Sequence, residues 1–288
     1  MASNNLKVPV NVPVEKIRPF EGHPYKVLDN DEMNNLIDSI QQKGVISPIV
    51  VRPLENTTDE YEVISGHRRL RASVKAGLET VPALIYAVSR DEAAIMLVDS
   101  NLHREHILPS EKAFAYKLKL EAIKRQGERT DLTSDQVGRK LESAELIANK
   151  SDDSKTQVRR YIRLTYLIPE LLDLVDEKRI AFTPAVELSY LNEVEQADLV
   201  EEISACDATP NLSQAQRLRV ISREEGLTPE DIGEILAEEK ANQREKIKIP
   251  AERIRKYFPK SYTTEQIEEA IIKICESRYR ARQGRDAR

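Results

Sequence analysis

The chain has 288 residues, with 44 Lys and Arg against 49 Asp and Glu, a net charge of −5, 32% charged residues, 5% aromatic residues and no Trp. That length accommodates two or three domains, and the composition fits a helix-rich chain and excludes an all-β sandwich. The acidic balance excludes a uniformly basic nucleic-acid coat, so a nucleic-acid role must rest on a local patch. No apolar run approaches the roughly 18 residues of a membrane span. The N-terminus carries no charged-then-apolar leader. Cys206 and Cys275 are too few for a disulfide framework or a zinc site. The expectation is a cytoplasmic protein with no membrane attachment.

In chain order, Val8 to Val14 mixes apolar residues with prolines, as an edge strand does. Met33, Leu36, Ile37 and Ile40 form a helical stripe, with Asp29 or Asn30 as cap and Gly44 as stop. Val45 to Arg52 reads as a strand interrupted by Pro48, and Tyr61 to Ile64 as another beyond a polar loop. Next comes Ser65-Gly66-His67-Arg68-Arg69-Leu70-Arg71-Ala72. A glycine turn opening a helix lets backbone N–H groups and the helix dipole face an anion, and arginines add paired donors. The stretch is a phosphate cradle or a solvated basic helix edge, and these eight residues do not decide between them. The helix ends at Gly77, Val81 to Ala87 is a third strand, and Ser89-x-x-Glu92 is a capping box opening another helix.

Beyond residue 100 the pattern is helical. Ser110 caps a helix with Ala115, Leu118 and Ala122 inward, and Gln126 to Asp131 is a polar break. Thr133-x-x-Gln136 opens a short helix with Val137 and Leu141, and Ser143 caps another through Ile147 and Ala148. After a turn at 151–153, Ser154-Lys155-Thr156-Gln157 opens a helix with two separate faces. Val158, Tyr161, Ile162 and Thr165 face a core, while Thr156, Arg159, Arg160 and Arg163 share the other side. Short helices across a tight turn match a helix-turn-helix, whose second helix enters the DNA major groove. Thr156, Gln157 and Arg160 are the candidates for base edges, and Lys155, Arg159 and Arg163 for phosphates. The plainer alternative is a solvated basic face in a helical bundle. Ile168 to Val175 and Ile180 to Ala185 continue the helices, with Thr183 as a cap and Pro184 following. Thr263 or Thr264 caps a last helix with Ile267, Ala270, Ile271 and Ile274 in a stripe, followed by an arginine-rich tail.

Four segments together resemble the N-terminal domain of the ParB family of chromosome and plasmid partition proteins: VPVEKIRPF (12–20), SIQQKGVISPIVVRP (39–53), YEVISGHRRLRA (61–72) and AGLETVPALI (76–85). DSNLHREHILPSEKAFA (99–115) resembles the family's third conserved box. The implied architecture is α+β: a small α/β nucleotide-binding domain (1–100), an all-α helix-turn-helix DNA-binding domain (101–245), and a helical C-terminal segment (246–288) that self-associates or packs within the chain. The resemblance implies CTP with Mg2+ as ligands. Ser47 and Arg52 would lie on the base and ribose side. Gly66, His67, Arg68, Arg69 and Arg71 would form the phosphate turn, and Asn101 and Arg104 would close the site, Asn101 also serving the metal. It further implies a homodimer on double-stranded DNA with a palindromic site, a ParA-like Walker ATPase partner and nucleoid association.

Two departures stand out. The family's usual Gly-Glu-Arg-Arg reads Gly66-His67-Arg68-Arg69, and its Glu-Asn pair reads Ser100-Asn101. Magnesium favours carboxylate and phosphate oxygens, so these changes imply nucleotide binding with at most weak CTP hydrolysis. They also keep open a site-specific transcriptional regulator with the ParB fold and no CTP switch. A sulfiredoxin-like enzyme is disfavoured because both cysteines lie far from the turn. A nuclease would need clustered acids that the turn lacks.

Overall fold

β-branched residues concentrate in the first hundred positions and build a mixed sheet there. The computed structural model describes residues 8–131 (except 56, 58, 103 and 105), 147–148, 153–238, 254–259 and 261–286. The strands are β1 (Val10–Pro13), β2 (Ile17–Arg18), β3 (Ile49–Pro53), β4 (Tyr61–Ser65) and β5 (Thr80–Ile85), in the order β1-β5-β3-β4-β2. β1 lies antiparallel on β5, with Val10 opposite Ala83, and its Pro13 is tolerated because it is an edge. β3 runs parallel to β5 and antiparallel to β4, with a register shift at Val50/Val51. The two-residue β2 closes the other edge parallel to β4. The sequence gives no hint of it, since two residues carry no periodicity.

Helices cover both faces. On one side α1 (Asp31–Lys43) and α2 (His67–Lys75) bring Met33, Ile40, Leu70 and Ala72 toward Ile49, Val51, Val63 and Val81. Asn30 caps α1 by accepting from Met33 N–H, and Gly44 ends it at φ +71°. On the other side α3 (Arg90–Asp99) and α4 (Pro109–Asp131) pack Ala93, Ala94, Leu97, Ala115 and Ala122 against Ile64, Phe20 and Tyr25. The Ser89–Glu92 capping box is present at α3. α4 runs through the expected break at 126–131 and begins at Pro109. Ser110 therefore sits inside α4, where its hydroxyl donates to Asp176 (2.5 Å).

The helical half contains α5 (Lys155–Leu164), α6 (Pro169–Asp176), α7 (Phe182–Leu188), α8 (Glu193–Cys206), α9 (Leu212–Glu224) and α10 (Pro229–Ala237) around one apolar cluster. α7 starts at Phe182, two residues earlier than a Thr183 cap would place it; its cap position, Ala181, makes no side-chain hydrogen bond. Buried Gln196 holds the turns between helices: its amide donates to the carbonyls of Tyr166 and Leu191 and accepts from Ile168 N–H. The expected short helices at 133–148 lie outside the described residues except Ile147 and Ala148. Ile147 is buried with Tyr116 and Val158. The protein is thus α+β, and it divides into two compact units, Met1–Glu238 and Glu239–Arg288. In the second unit α11 (Thr264–Asp286) follows Thr263, whose hydroxyl accepts from Gln266 N–H. The arginines of the tail beyond residue 278 fall outside the described side chains. No described helix is long and apolar enough to cross a membrane.

Between β3 and β4, Arg52 stands directly opposite Glu62 and donates Nε–H to it at 2.7 Å, both side chains about 4% exposed. The other Glu62 oxygen accepts from Glu21 N–H. Glu62→Leu leaves the Arg52 charge buried without its partner and should cost about 3 kcal/mol. Arg52→Met with Glu62→Leu should recover most of that loss. Urea unfolding midpoints of the two variants measure the difference.

Candidate anion-binding cleft

β4 delivers the chain to Gly66, which takes φ +101° and turns it into α2. A Cβ there would lie 2.8 Å from the Ile49 side chain and 3.1 Å from Arg69 Nη2, so the turn needs glycine for both shape and space. The first bond of α2 is Leu70 N–H to the Gly66 carbonyl, at 2.9 Å. The N–H groups of the opening turn therefore face a cleft of about 260 Å3. Its walls are Gly66, His67, Arg68 and Arg69 from α2, Ser100, Asn101 and Arg104 after α3, and His23, Tyr25 and Lys26 from the loop before α1.

The cleft is cationic, and among the described residues no carboxylate lines it. Arg69 Nη1 donates to the carbonyls of Ser47 (2.6 Å) and Pro48 (2.7 Å), which aims its guanidinium along the floor. Arg68 bonds Glu32 at 3.0 Å on the rim. The Arg104 guanidinium lies 5.7 Å from the Tyr25 ring centre. The imidazoles of His23 and His67 stack at 3.6 Å with their planes 33° apart. Burial, with the charge of Arg104 adding to it, holds His23 down at about 4, against a smaller opposing effect of a hydrogen bond to the Tyr25 backbone. Burial, His23 and Arg104 hold His67 at about 3. Burial pushes the Tyr25 phenol up. His67 Nε2 and Tyr25 Oη are buried without a hydrogen-bond partner.

The expected site residues divide. Gly66, His67, Arg68, Arg69, Asn101 and Arg104 come together in the cleft. Arg71 does not: it makes a paired contact with Asp29 (2.9 and 2.5 Å), which Lys75 also bridges (2.8 Å). Arg52 does not either, because its register opposite Glu62 buries it in the sheet. Ser47 contributes its carbonyl to Arg69 and lines an adjoining depression with Leu36, Ile40 and Val45. Asn101 donates to the Leu97 carbonyl (2.7 Å) as an extension of α3. Among the described residues no three His, Cys, Asp or Glu cluster as a metal site. The described donors of the cleft therefore offer no carboxylate to a magnesium ion. His23, Tyr25 and Lys26 were not expected from sequence; their loop has two prolines and no periodic signal.

The same loop reaches the helical half. Lys26 N–H donates to Glu111 (2.7 Å), and Lys26 Nζ lies 3.3 Å from both Asp173 and Asp176. On α5, Ser154 accepts from Gln157 N–H as the cap. Thr156 and Arg159 are exposed, and Lys155 and Gln157 are half-buried. Arg160 and Arg163 point elsewhere: Arg160 donates to Thr183 Oγ1 (3.0 Å), and Arg163 donates to the Ser189 carbonyl (2.7 Å) with its guanidinium 3.9 Å from the Tyr190 ring centre.

Gly66→Ala should destabilise the chain by about 2 kcal/mol, from left-handed backbone strain plus the overlap with Ile49. Thermal unfolding checks the loss, and Gly77→Ala, where a Cβ meets nothing within 4 Å, isolates the strain alone.

Residues 2–102 match the model of the ParB N-terminal domain. The chain is 31% identical over 210 residues to the chromosome-partitioning protein Spo0J of Thermus thermophilus, covering 73% of this chain and 70% of that protein. It is 34% identical over 196 residues to a nucleoid occlusion protein of Listeria innocua, covering 67% of this chain and 62% of that one. The chain thus spans less than two thirds of the Listeria protein's length. A crystal structure of C-terminally truncated chromosome-partitioning protein ParB from Caulobacter crescentus, complexed to the centromeric parS site, matches at 21% identity and a TM-score of 0.42. That match covers 73% of this chain and 98% of the Caulobacter chain. Through its N-terminal domain match and its 31% identity to the Thermus protein, this chain belongs to the ParB family.

Proposed function

We propose that this chain is a site-specific DNA-binding protein of chromosome, plasmid or mobile-element partition, that it binds CTP in the cleft at Gly66, and that it works as a homodimer on a palindromic site. The observation that carries the reading is the cleft itself: a glycine-opened helix N-terminus with Lys26, Arg68, Arg69 and Arg104 around it and no acid among its described lining residues. Such a site takes an anion with several charged oxygens, and family membership supplies the nucleotide. Magnesium would be carried in by phosphate oxygens and water rather than by the protein, and no step is routed through it. The chain's own residues bind and orient the phosphates.

In this reading α5 lies in the major groove and reads with its N-terminal end, where Lys155, Thr156, Gln157 and Arg159 are grouped. Arg160 and Arg163 hold the helix in place from behind. Lys26 joins the two activities, since one residue lines the cleft and pairs with α6. The stripe of Ile267, Ala270, Ile271 and Ile274 on α11, with Ile274 59% exposed, supports self-association. A ParA-like ATPase partner and residence on the nucleoid follow from the family, with no residue here assigned to the ATPase. The missing cleft acid also favours a second reading, a transcriptional regulator of this fold that does not switch with CTP.

Immunoprecipitation and sequencing of bound DNA, with CTP affinity measured with and without that DNA, tests the proposal. A sharp palindrome with signal spreading around it is expected. No CTP binding at millimolar nucleotide sinks the switch and leaves the regulator. Arg69→Ala should weaken CTP by ten- to a hundredfold, as loss of a charged hydrogen-bonding group does (about 1.5–3 kcal/mol). Arg159→Ala should weaken DNA binding on all sequences and lower the salt slope by about 1. Arg163→Ala should instead lower the melting temperature.

A further inference from the structure

The stacked imidazoles of His23 and His67 are the least expected feature of the cleft. They come from different segments, one from the proline-bounded loop before α1 and the other at the first position of α2. Their 3.6 Å separation leaves no room for a side chain between the rings. His67 Nε2 is buried and lacks a partner, which is costly for a polar atom and calls for a compensating group. Among the described residues lining the cleft, the charges facing the pair are of one sign. Arg104 stands beside it, Arg68 and Arg69 follow on α2, and Lys26 continues its loop. The acids nearby are engaged elsewhere: Glu111 on the amides of Lys26 and Leu108, Asp99 on Lys119, and Glu32 on Arg68. Tyr25, the remaining titratable group in the described lining of the cleft, stays a neutral phenol.

In the free chain a proton on either ring would add positive charge to a cleft that already has an excess. Both rings are therefore neutral at neutral pH. An entering polyphosphate reverses the local field, and its oxygens are the acceptors that a protonated ring needs.

We propose that the His23–His67 pair is the proton-accepting part of the anion site: a polyphosphate entering the cleft draws one proton from water onto the pair, and His67 donates it in a hydrogen bond to a phosphate oxygen. The inference rests on the reading of the cleft as a nucleotide site, and it makes binding and protonation one event. No covalent bond changes; imidazole becomes imidazolium at the expense of one solvent proton. The sign follows from linkage. The complex holds more protons than the free chain, so affinity rises as pH falls, down to about 4, where the free pair charges on its own. The terminal phosphate works in the opposite direction, gaining charge as pH rises, and comparison with a variant cancels it.

Isothermal titration of the full chain with CTP, at one pH near 7 in two buffers of contrasting ionisation enthalpy, counts the protons. The native chain should take up between about half a proton and one proton more than His67→Gln. Between pH 6 and 8 its affinity should fall relative to that variant, by up to about tenfold per pH unit. Inorganic tripolyphosphate should show the same difference, since the base plays no part. His23→Phe, which keeps the stack and removes the neighbouring titratable group, should retain the uptake. By NMR, the ring C–H signals of both histidines should stay flat from pH 8 to 5 in the free chain, and His67 should titrate in that range once CTP is added. Equal proton counts in the native chain and His67→Gln, or a free-chain midpoint near 6.5, overturn the proposal while leaving the nucleotide site standing. Failure of both CTP and tripolyphosphate to bind overturns the nucleotide site and the proposal with it.

Discussion

The buried carboxylate of Glu111 holds the cleft together. One oxygen accepts from Lys26 N–H and the other from Leu108 N–H, at 2.7 and 3.1 Å. Asp176 works beside it, accepting from Ser110 N–H and hydroxyl and pairing with Lys26 Nζ. Hydrogen bonds to a charged acceptor are among the stronger ones in a folded chain. These tie three segments with no shared secondary structure: the loop at 23–27, the start of α4, and the end of α6. The loop has no strand or helix of its own to fix it. The positions of His23, Tyr25 and Lys26 in the cleft therefore depend on acids supplied by the helical half. Nucleotide and DNA readings of the chain meet at this knot, because a shift of the loop must be felt by α4 and α6.

The basic character of α2 has two uses that sequence cannot separate. Arg68, Arg71 and Lys75 recur at helical spacing and lie along the acidic opening of α1, pairing with Glu32 and Asp29. These pairs are exposed and each contributes little to stability. They do orient α1 over α2, whose Met33, Ile40 and Ala72 share one small core. Arg69 lies off that stripe, so it turns to the backbone of Ser47 and Pro48 and faces the cleft. Arg68 sits at the edge of both groups. The phosphate-binding reading of the motif is thus carried by Arg68 and Arg69, with Arg104 and Lys26 replacing the donors that Arg71 commits elsewhere.

What sequence made legible was what local rules govern. β-branched runs marked β3, β4 and β5, and caps at Asn30, Ser89, Ser154 and Thr263 lay within the windows that capping chemistry defines. The turn at Gly66 was legible because a glycine must stand where the chain takes a positive φ against Ile49. What escaped was set by register and long-range contact. Arg52 looked like a ligand residue until the β3–β4 register put Glu62 opposite it. Ser110 looked like a cap, but a carboxylate 66 residues away claims its hydroxyl. The cleft loop carried no signal at all, since its place comes from Glu111 rather than from its own sequence.

The same distinction bears on how α5 could read DNA. Sequence divides the candidates on one face into base readers (Thr156, Arg160) and phosphate holders (Arg159, Arg163), but contacts beyond the helix divide them differently. Phe182 and Thr183 hold Arg160, and Tyr166, Tyr190 and Ser189 hold Arg163, with Arg219 stacking on the far side of Tyr190 at 3.6 Å. A guanidinium packed between rings and bonded to a carbonyl gives up these contacts before it can reach a phosphate, so it serves better as a brace. Braced at its C-terminal half against α7 and the Ser189–Tyr190 turn, α5 has a fixed direction and presents Lys155, Thr156, Gln157 and Arg159. In the proposed role, specificity then falls to a short N-terminal segment on a rigid helix. That suits a dimer, where fixed spacing between two such helices selects the palindrome.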